Sequence, residues 1–235
     1  MAFIPALLPA LSSLMLLTAN PACMAQAPFD VDIRLAKRDA AYNTDYTSQQ
    51  LTAQYGADPD STLSTDGQWM VSGVTVVSAG GLAGQTLISF NTMTNYKNDT
   101  TCITVDKVEY EVQYAPKIFI ASDYKNMGCR YSATLMHEKR HVQTDERTFT
   151  DFFPEIAKSI RHSVERIGAQ GPFPKAMVPD AQKQVMARIN ADLQPVFQRM
   201  VEIRRKRQAE IDTEQNYLRD TALCPGQFPK FDGAK

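Results

Sequence analysis

The chain changes from a strand-like to a helix-like pattern at residues 131–142, which read Tyr131-Ser132-Ala133-Thr134-Leu135-Met136-His137-Glu138-Lys139-Arg140-His141-Val142. From here apolar residues recur at spacings of four and seven, at Tyr131, Leu135, Val142 and Phe149. Polar side chains fall on the opposite face, at Lys139, Arg140, Gln143 and Arg147. Because one apolar and one polar face are typical of a helix packed on a core, we predict an amphipathic helix that begins near Ser132 and ends before Pro154.

The segments that precede this helix have the composition of β-strands. Residues 101–114 alternate apolar and polar side chains, as a half-buried strand does. Three shorter runs rich in β-branched and apolar residues are predicted as further strands: 69–77, 85–90 and 117–121. Residues 26–65 are polar, and we predict an irregular lead-in with one helix near residues 46–54. Strands first and helices later indicate an α+β fold with an N-terminal antiparallel β region.

Two more helical segments follow the central one. The first begins near Pro154, buries an apolar face and stops at Gly168. The second is predicted from Ala181 to about Leu223, with a kink or break at Pro195. Its apolar residues recur at spacings of three and four: Val185, Ile189, Leu193, Val196, Met200 and Ile203. We predict that residues 26–170 form one β-rich domain and that residues 171–235 are a helical extension packed on it.

The N-terminus predicts export. The first 25 residues carry no charged side chain, are mostly apolar and end in small residues near Ala25. This pattern predicts a cleaved signal peptide over residues 1–25 and a bacterial periplasmic or secreted protein without a stable membrane span. The formal net charge of −1 gives no field that would recruit nucleic acid. The sequence does not indicate an oligomeric state.

Cleavage near Ala25 leaves three cysteines, Cys102, Cys129 and Cys224. Three thiols allow one disulfide and leave one cysteine over. An exported chain can keep such a bond. We predict a Cys102–Cys129 bond, because these two cysteines flank one compact predicted unit.

The central helix carries the motif that points to chemistry, His137-Glu138-Lys139-Arg140-His141. Two histidines four residues apart project from one face of a helix, so both can bind one Zn²⁺ at about 2.0–2.1 Å. The carboxylate between them can act as a general base toward a water molecule. We therefore predict His137 and His141 as zinc ligands and Glu138 as the catalytic base.

The sequence leaves the identity of the third zinc ligand open. Asp145 lies one turn past His141, where it is better placed to orient that imidazole ring than to bind the ion. A turn near residues 150–153 would let the next helix run back, which would bring His162 and Glu165 level with His141. Two acidic residues in the C-terminal helical stretch are comparable candidates, Asp212 and Glu214.

Residues 129–145 resemble the DUF922 family of secreted bacterial proteins, whose members are predicted to be zinc-dependent proteases. Those proteins also have strands before the motif and a helical region after it. The resemblance implies a zincin-like domain and a metallopeptidase that acts on peptide or protein substrates, with Glu138 as the general base.

A different class of function also fits the sequence. The long terminal helices could dock a partner, which would make the chain a non-catalytic periplasmic binding or assembly module with a structural or degenerate zinc site. A metal-scavenging protein is a weaker hypothesis, because such proteins cluster many more metal-binding side chains than the three histidines present here. Tightly held zinc with an open coordination position is expected of the peptidase.

Overall fold

The computed structural model describes residues 23–56, 70–77 and 84–227. The strands are β1 (Asp30–Lys37), β2 (Ala41–Asn43), β3 (Gly73–Val77), β4 (Gly84–Asn95), β5 (Thr100–Tyr114), β6 (Pro116–Ile120) and β7 (Gln170–Pro174). The α-helices are α1 (Ser48–Tyr55), α2 (Gly128–Ile167), α3 (Val178–Ala209) and α4 (Glu214–Ala222). Strands dominate before residue 121 and long helices after it, which confirms the α+β class.

Two mixed sheets form the β region. In the larger sheet β5 lies between β1 and β4, and β7 pairs with the first residues of β5. The β4–β5 and β5–β7 pairs are antiparallel, whereas β1 runs parallel to β5. The smaller sheet has the order β2-β6-β3, with β2 parallel and β3 antiparallel to β6. The two strands in parallel pairings, β1 and β2, lie within residues 26–65. This region was predicted to be mostly irregular because its overall composition is polar.

The predicted helix near residues 46–54 is confirmed as α1. Thr47 and Gln50 form a capping box, in which each side chain bonds the backbone N–H of the other residue. Leu51 of α1 is fully buried with Phe119 and Tyr124 in a small second core. This core holds α1 against the smaller sheet.

The main core lies between β5, α2 and α3. The apolar face of β5 contributes Val108, Tyr110, Val112 and Tyr114, and α2 covers it with Val142, Phe149, Phe152, Ile156, Ile160 and Val164. The predicted seam of α3 is buried in the same cluster, at Val185, Ile189, Leu193, Val196 and Met200. Tyr131 and Leu135 pack against its edge. The helical periodicities in the sequence therefore identified the packed faces correctly.

The prediction that one helix ends before Pro154 and another begins there was wrong. Helix α2 is a single helix of 40 residues with Pro154 inside it. A proline in a helix interior costs about 3 kcal/mol. Continuing the helix buries four aliphatic side chains, Ile156, Ile160, Val164 and Ile167, at about 2 kcal/mol each. The gain from packing exceeds the local penalty, so the helix runs on to Gly168 as predicted.

The C-terminal stretch that was predicted as one helix is two. Helix α3 ends at Ala209 and α4 begins at Glu214, whereas Pro195 lies within α3 without ending it. Thr213 is the N-cap of α4, and its side chain accepts a hydrogen bond from the backbone N–H of Asn216. The turn at residues 210–213 lets α4 fold back onto α2.

The predicted Cys102–Cys129 disulfide was wrong. The bonds are Cys23–Cys102 and Cys129–Cys224. Cys129 lies at the start of α2, a helix about 60 Å long. Cys102 lies near the other end of that helix, because its segment of β5 pairs with β7, which follows the end of α2. The partner of Cys102 is Cys23, which the predicted cleavage near Ala25 would remove from the mature chain.

The predicted signal peptide lies outside the described residues up to position 22, and Cys23 is the first residue described. Cleavage after Ala25 would remove Cys23, so a chain that keeps the Cys23–Cys102 bond begins at or before Cys23. Within the described ranges, no helix is long and apolar enough to cross a membrane. Two disulfides are typical of a protein that folds in an oxidising compartment.

Candidate metal centre

The two histidines of the α2 motif direct their Nε2 atoms to the same point. His137 Nε2 and His141 Nε2 are 3.1 Å apart. The carboxylate of Asp212, in the turn between α3 and α4, reaches both of them. Its Oδ1 atom lies 3.0 Å from His137 Nε2 and 3.1 Å from His141 Nε2. These three donor atoms form a nearly equilateral triangle that could hold a metal ion.

The type and spacing of these donors suit zinc. Imidazole nitrogen and carboxylate oxygen bind Zn²⁺ at about 2.0–2.2 Å, and catalytic sites use three protein ligands with a fourth position left for water or substrate. Tetrahedral bonds of that length hold the ligand atoms about 3.3 Å apart. The observed triangle is slightly smaller, so small side-chain rotations would accommodate the ion.

Residues of α4 and of α2 contact the Nδ1 atom of His137, on the opposite side of the ring from Nε2. Its Nδ1 atom lies 3.2 Å from Asp220 Oδ2, a carboxylate on α4. Arg140 contacts the same Asp220 oxygen, and its Nη2 atom lies 3.1 Å from His137 Nδ1. A proton on Nδ1 donated to Asp220 leaves the lone pair of Nε2 for a metal, which is the usual way in which carboxylates orient metal-binding histidines.

His141 is oriented by Gln208 of α3. Its Nδ1 atom contacts Gln208 Oε1, and Gln208 Nε2 donates to the backbone carbonyl of His141 at 3.1 Å. The same Gln208 amide also donates to Asp145. Arg204 donates to both carboxylate oxygens of Asp145, at 2.7 and 2.9 Å. Asp145 therefore reaches His141 through Gln208, whereas a direct role in orienting this ring was expected.

Glu138 is buried against strand β3 beside the histidine pair, with 3% of its surface exposed. Thr75 Oγ1 donates to Glu138 Oε2 at 2.8 Å. A Cβ atom on Gly73 would lie 2.7 Å from Thr134 Cγ2 and 2.8 Å from Glu138 Oε1, so the close packing of β3 on α2 requires glycine at this position. Burial raises the pKa of the Glu138 carboxyl, although the nearby histidines oppose the rise.

Asp212 and His141 form a hydrogen-bonded pair, in which the proton on His141 Nε2 points to Asp212 Oδ1. Burial opposes ionisation of Asp212, but hydrogen bonds from His137 and His141 hold the pKa of its carboxyl well below the usual range. Burial also acts to lower the pKa of His141, yet the hydrogen bond with Asp212 and the charge of Glu138 raise it to about 9. A metal that takes His141 Nε2 as a ligand must displace this proton.

Tyr217 of α4 covers one side of the site. Its hydroxyl donates to Asp212 Oδ1 at 2.9 Å, and its ring lies against the ring of His137 with centroids 4.8 Å apart. Burial and the nearby carboxylates raise the pKa of this phenol well above its ordinary value. Tyr217 therefore stays protonated and acts here as a hydrogen-bond donor.

Of the five candidates for the third ligand, Asp212 lies beside the histidine pair. His162 does not, because α2 continues straight and places it about 32 Å along the helix from His141. Glu165 lies one turn farther away on the same helix. Glu214 is exposed in the first turn of α4, and Asp145 is buried in its ion pair with Arg204.

Sequence reasoning missed four residues that shape the site: Thr75, Gln208, Tyr217 and Asp220. The positions of Tyr217 and Asp220 depend on the turn before α4, and Thr213 was the one local signal for that turn, since threonine is a preferred helix N-cap. The positions of Thr75 and Gln208 depend on tertiary packing and leave no signal in the motif. Comparison of the chain with protein-family models, curated proteins and solved structures gave no match.

Proposed function

We propose that this protein is a secreted or periplasmic zinc-dependent metallopeptidase. The observation that carries the proposal is the triangle of His137, His141 and Asp212 donor atoms, with Glu138 adjacent to it. Zinc bound there would supply Lewis acidity, which polarises a carbonyl group and lowers the pKa of a bound water. The resemblance of residues 129–145 to the DUF922 family points in the same direction.

Glu138 is the proposed general base. Its carboxylate takes a proton from the attacking water and returns it to the leaving amine of the cleaved peptide bond. Burial raises its pKa above the usual range for a glutamate, which makes the carboxylate a stronger base. The hydrogen bond from Thr75 fixes the carboxylate beside the two histidines.

Strand β3 offers a place for an extended peptide substrate. β3 pairs with β6 on one side, and within the described ranges no strand pairs with its other edge. A peptide that added to this edge would pass beside Thr75 and therefore beside Glu138. This arrangement favours peptide hydrolysis over the hydrolysis of small substrates that need no such edge.

The N-terminal sequence and the two disulfides support the proposed location of the protein. The charge-free apolar start is typical of a signal peptide, and two disulfides fit an oxidising compartment. We propose that the chain matures outside the cytoplasm, in the periplasm or beyond it.

Metal analysis of purified variants tests the ligand set. The wild-type protein should hold about one Zn²⁺ per chain, and His141→Ala and Asp212→Ala should each lose it. His162→Ala is the matched control, because it removes a histidine of the same helix far from the site, and it should keep full zinc content. Full zinc content in Asp212→Ala would exclude Asp212 as the third ligand.

The Glu138→Gln variant distinguishes loss of the general base from loss of a zinc ligand. The amide keeps the shape of the side chain and leaves both histidines in place, so zinc should stay bound. Cleavage of a proteome-derived peptide library should fall by about 10² to 10⁴-fold, because the amide cannot accept the proton of the water. Stoichiometric zinc without cleavage of any peptide by the wild-type protein would instead favour a binding module with a structural zinc site.

A further inference from the structure

A cleft lined by four arginines lies next to the metal centre. It has a volume of about 400 Å³ and is formed where α2, the end of α3 and α4 meet. Its charged lining consists of Arg140, Arg147, Arg207, Arg219 and Glu210. The volume falls in the range of sites that bind small molecules, which is about 300–1,000 Å³.

The positive charge of this cleft is only partly neutralised. Arg140 and Arg219 share one carboxylate, Asp220, and Arg219 is 3.7 Å from it. Arg207 pairs with Asp151 at the rim. Arg147 is exposed and has no ion pair with any residue in the described ranges. Four arginines therefore line a space whose described lining includes one carboxylate, Glu210.

The cleft is distinct from the place where a metal would sit. Arg140, which lines it, approaches Nδ1 of His137, whereas the metal-facing atom of that ring is Nε2. None of the candidate ligands His137, His141 and Asp212 is among the described residues that line the cleft. Its ligand would not compete with a metal for His137, His141 or Asp212.

We propose that this cleft binds a small multivalent oxyanion, a phosphate or dicarboxylate group. Guanidinium groups hold such groups through paired, charge-assisted hydrogen bonds, and their flat geometry matches two oxygens at a time. The side chain of Arg147 supplies a guanidinium that is not engaged by a described carboxylate. Thr144 and Asn216, which also line the cleft, can contribute neutral hydrogen bonds to the remaining oxygens.

Titration calorimetry of the full chain with inorganic phosphate and with succinate, at constant ionic strength, tests the proposal. At least one of these probes should bind saturably with one site per chain. Arg147→Gln combined with Arg219→Gln should weaken that binding by about tenfold or more, since each removes a charge-assisted contact. Arg34→Gln is the matched control. It removes an exposed arginine that pairs with Glu111 on the sheet, far from the cleft, and should leave the affinity within about twofold.

A further variant keeps this test independent of the proposed peptidase. His141→Ala removes a metal ligand, and anion binding in the cleft should persist in it. Absence of saturable binding of both probes would overturn the proposal. Binding that survives in the double arginine variant, or that disappears in His141→Ala alone, would place the anion elsewhere and would overturn it as well.

Discussion

At the scale of single residues, Gly73 is tightly constrained by its packing against the candidate site. It carries no known chemistry, yet a methyl group at this position would overlap Thr134 and the Glu138 carboxylate. Gly73→Ala should therefore displace Glu138 while leaving the donor triangle intact. We expect a loss of peptide cleavage on the order of 10²-fold, the cost of a misplacement of about 1 Å, with zinc content unchanged.

Gly128 provides the control for this change. A Cβ atom there would contact nothing within 4 Å, so Gly128→Ala should preserve both activity and zinc content. Equal activity of the two variants, measured on the same peptide, would show that the packing of β3 does not position Glu138.

Gln208 is the second position that the motif does not reveal. It accepts from His141 Nδ1 and donates to Asp145, so it fixes the ring orientation that a metal requires. Gln208→Ala should weaken zinc binding by about 10 to 100-fold, the usual effect of removing a residue that orients a ligand. Competition with a chelating dye measures this change. Gln194→Ala, at an exposed position on the same helix, should have no effect.

The sequence predicted the residues whose roles depend on local geometry. His137, Glu138 and His141 lie within one turn of a helix, so their spacing alone implies that they face one region. Asp212 was one of five candidates, because its distance to His141 depends on where α3 ends and how α4 folds back. Asp220 could not be predicted for the same reason.

At the level of elements, the short helix α4 positions several residues of the candidate site. It carries Tyr217 and Asp220, follows directly after Asp212, and is bonded to the start of α2 through Cys129–Cys224. A nine-residue helix is too short to be stable alone in water. Its position therefore depends on this disulfide and on the contacts of its side chains with α2.

Breaking this disulfide should weaken metal binding specifically. Replacing Cys129 and Cys224 by serine frees α4, so zinc affinity should fall by about tenfold or more because the groups around His137 are no longer held. Replacing Cys23 and Cys102 opens a loop of similar size, 79 residues against 95. Both variants should lose similar stability toward denaturant, about 4–5 kcal/mol, but only the first should lose zinc affinity. A parallel loss of zinc in both would indicate a general effect of destabilisation.

Elements were predicted best where periodicity was strong and packing agreed with it. Strand β5 and the buried faces of α2 and α3 follow this rule. Pro154 was expected to separate two helices, each with its own apolar face, whereas both faces lie on one continuous helix. Strand β1 was missed because residues 26–65 are polar overall, although Val31, Ile33 and Leu35 alternate with polar residues and pack on the core as β1 pairs with β5.

For the whole molecule, the N-terminal segment belongs to the folded body. Cys23 is bonded to Cys102, and the side chain of Gln26 bonds both the carbonyl and the N–H of Val105 in β5, at 2.7 and 3.1 Å. We therefore predict that the exported protein keeps Cys23. Mass spectrometry should find a mature N-terminus at or before this residue, and non-reducing peptide mapping should recover the Cys23–Cys102 pair. A mature chain that starts at Gln26 with Cys102 as a free thiol would contradict this prediction.

The wide separation of the site residues along the chain has a consequence for biosynthesis. His137 and His141 are made well before Asp212 and Asp220, and the cysteine that holds α4 in place, Cys224, comes later still. A nascent chain that ends within α3 thus has two histidines but no third donor. The site is completed only after nearly the whole chain has been synthesised and Cys129 has been oxidised. If the proposed zinc site and export are correct, this order would delay metal loading until the chain has left the cytoplasm, and the metal would come from the compartment in which the protein works.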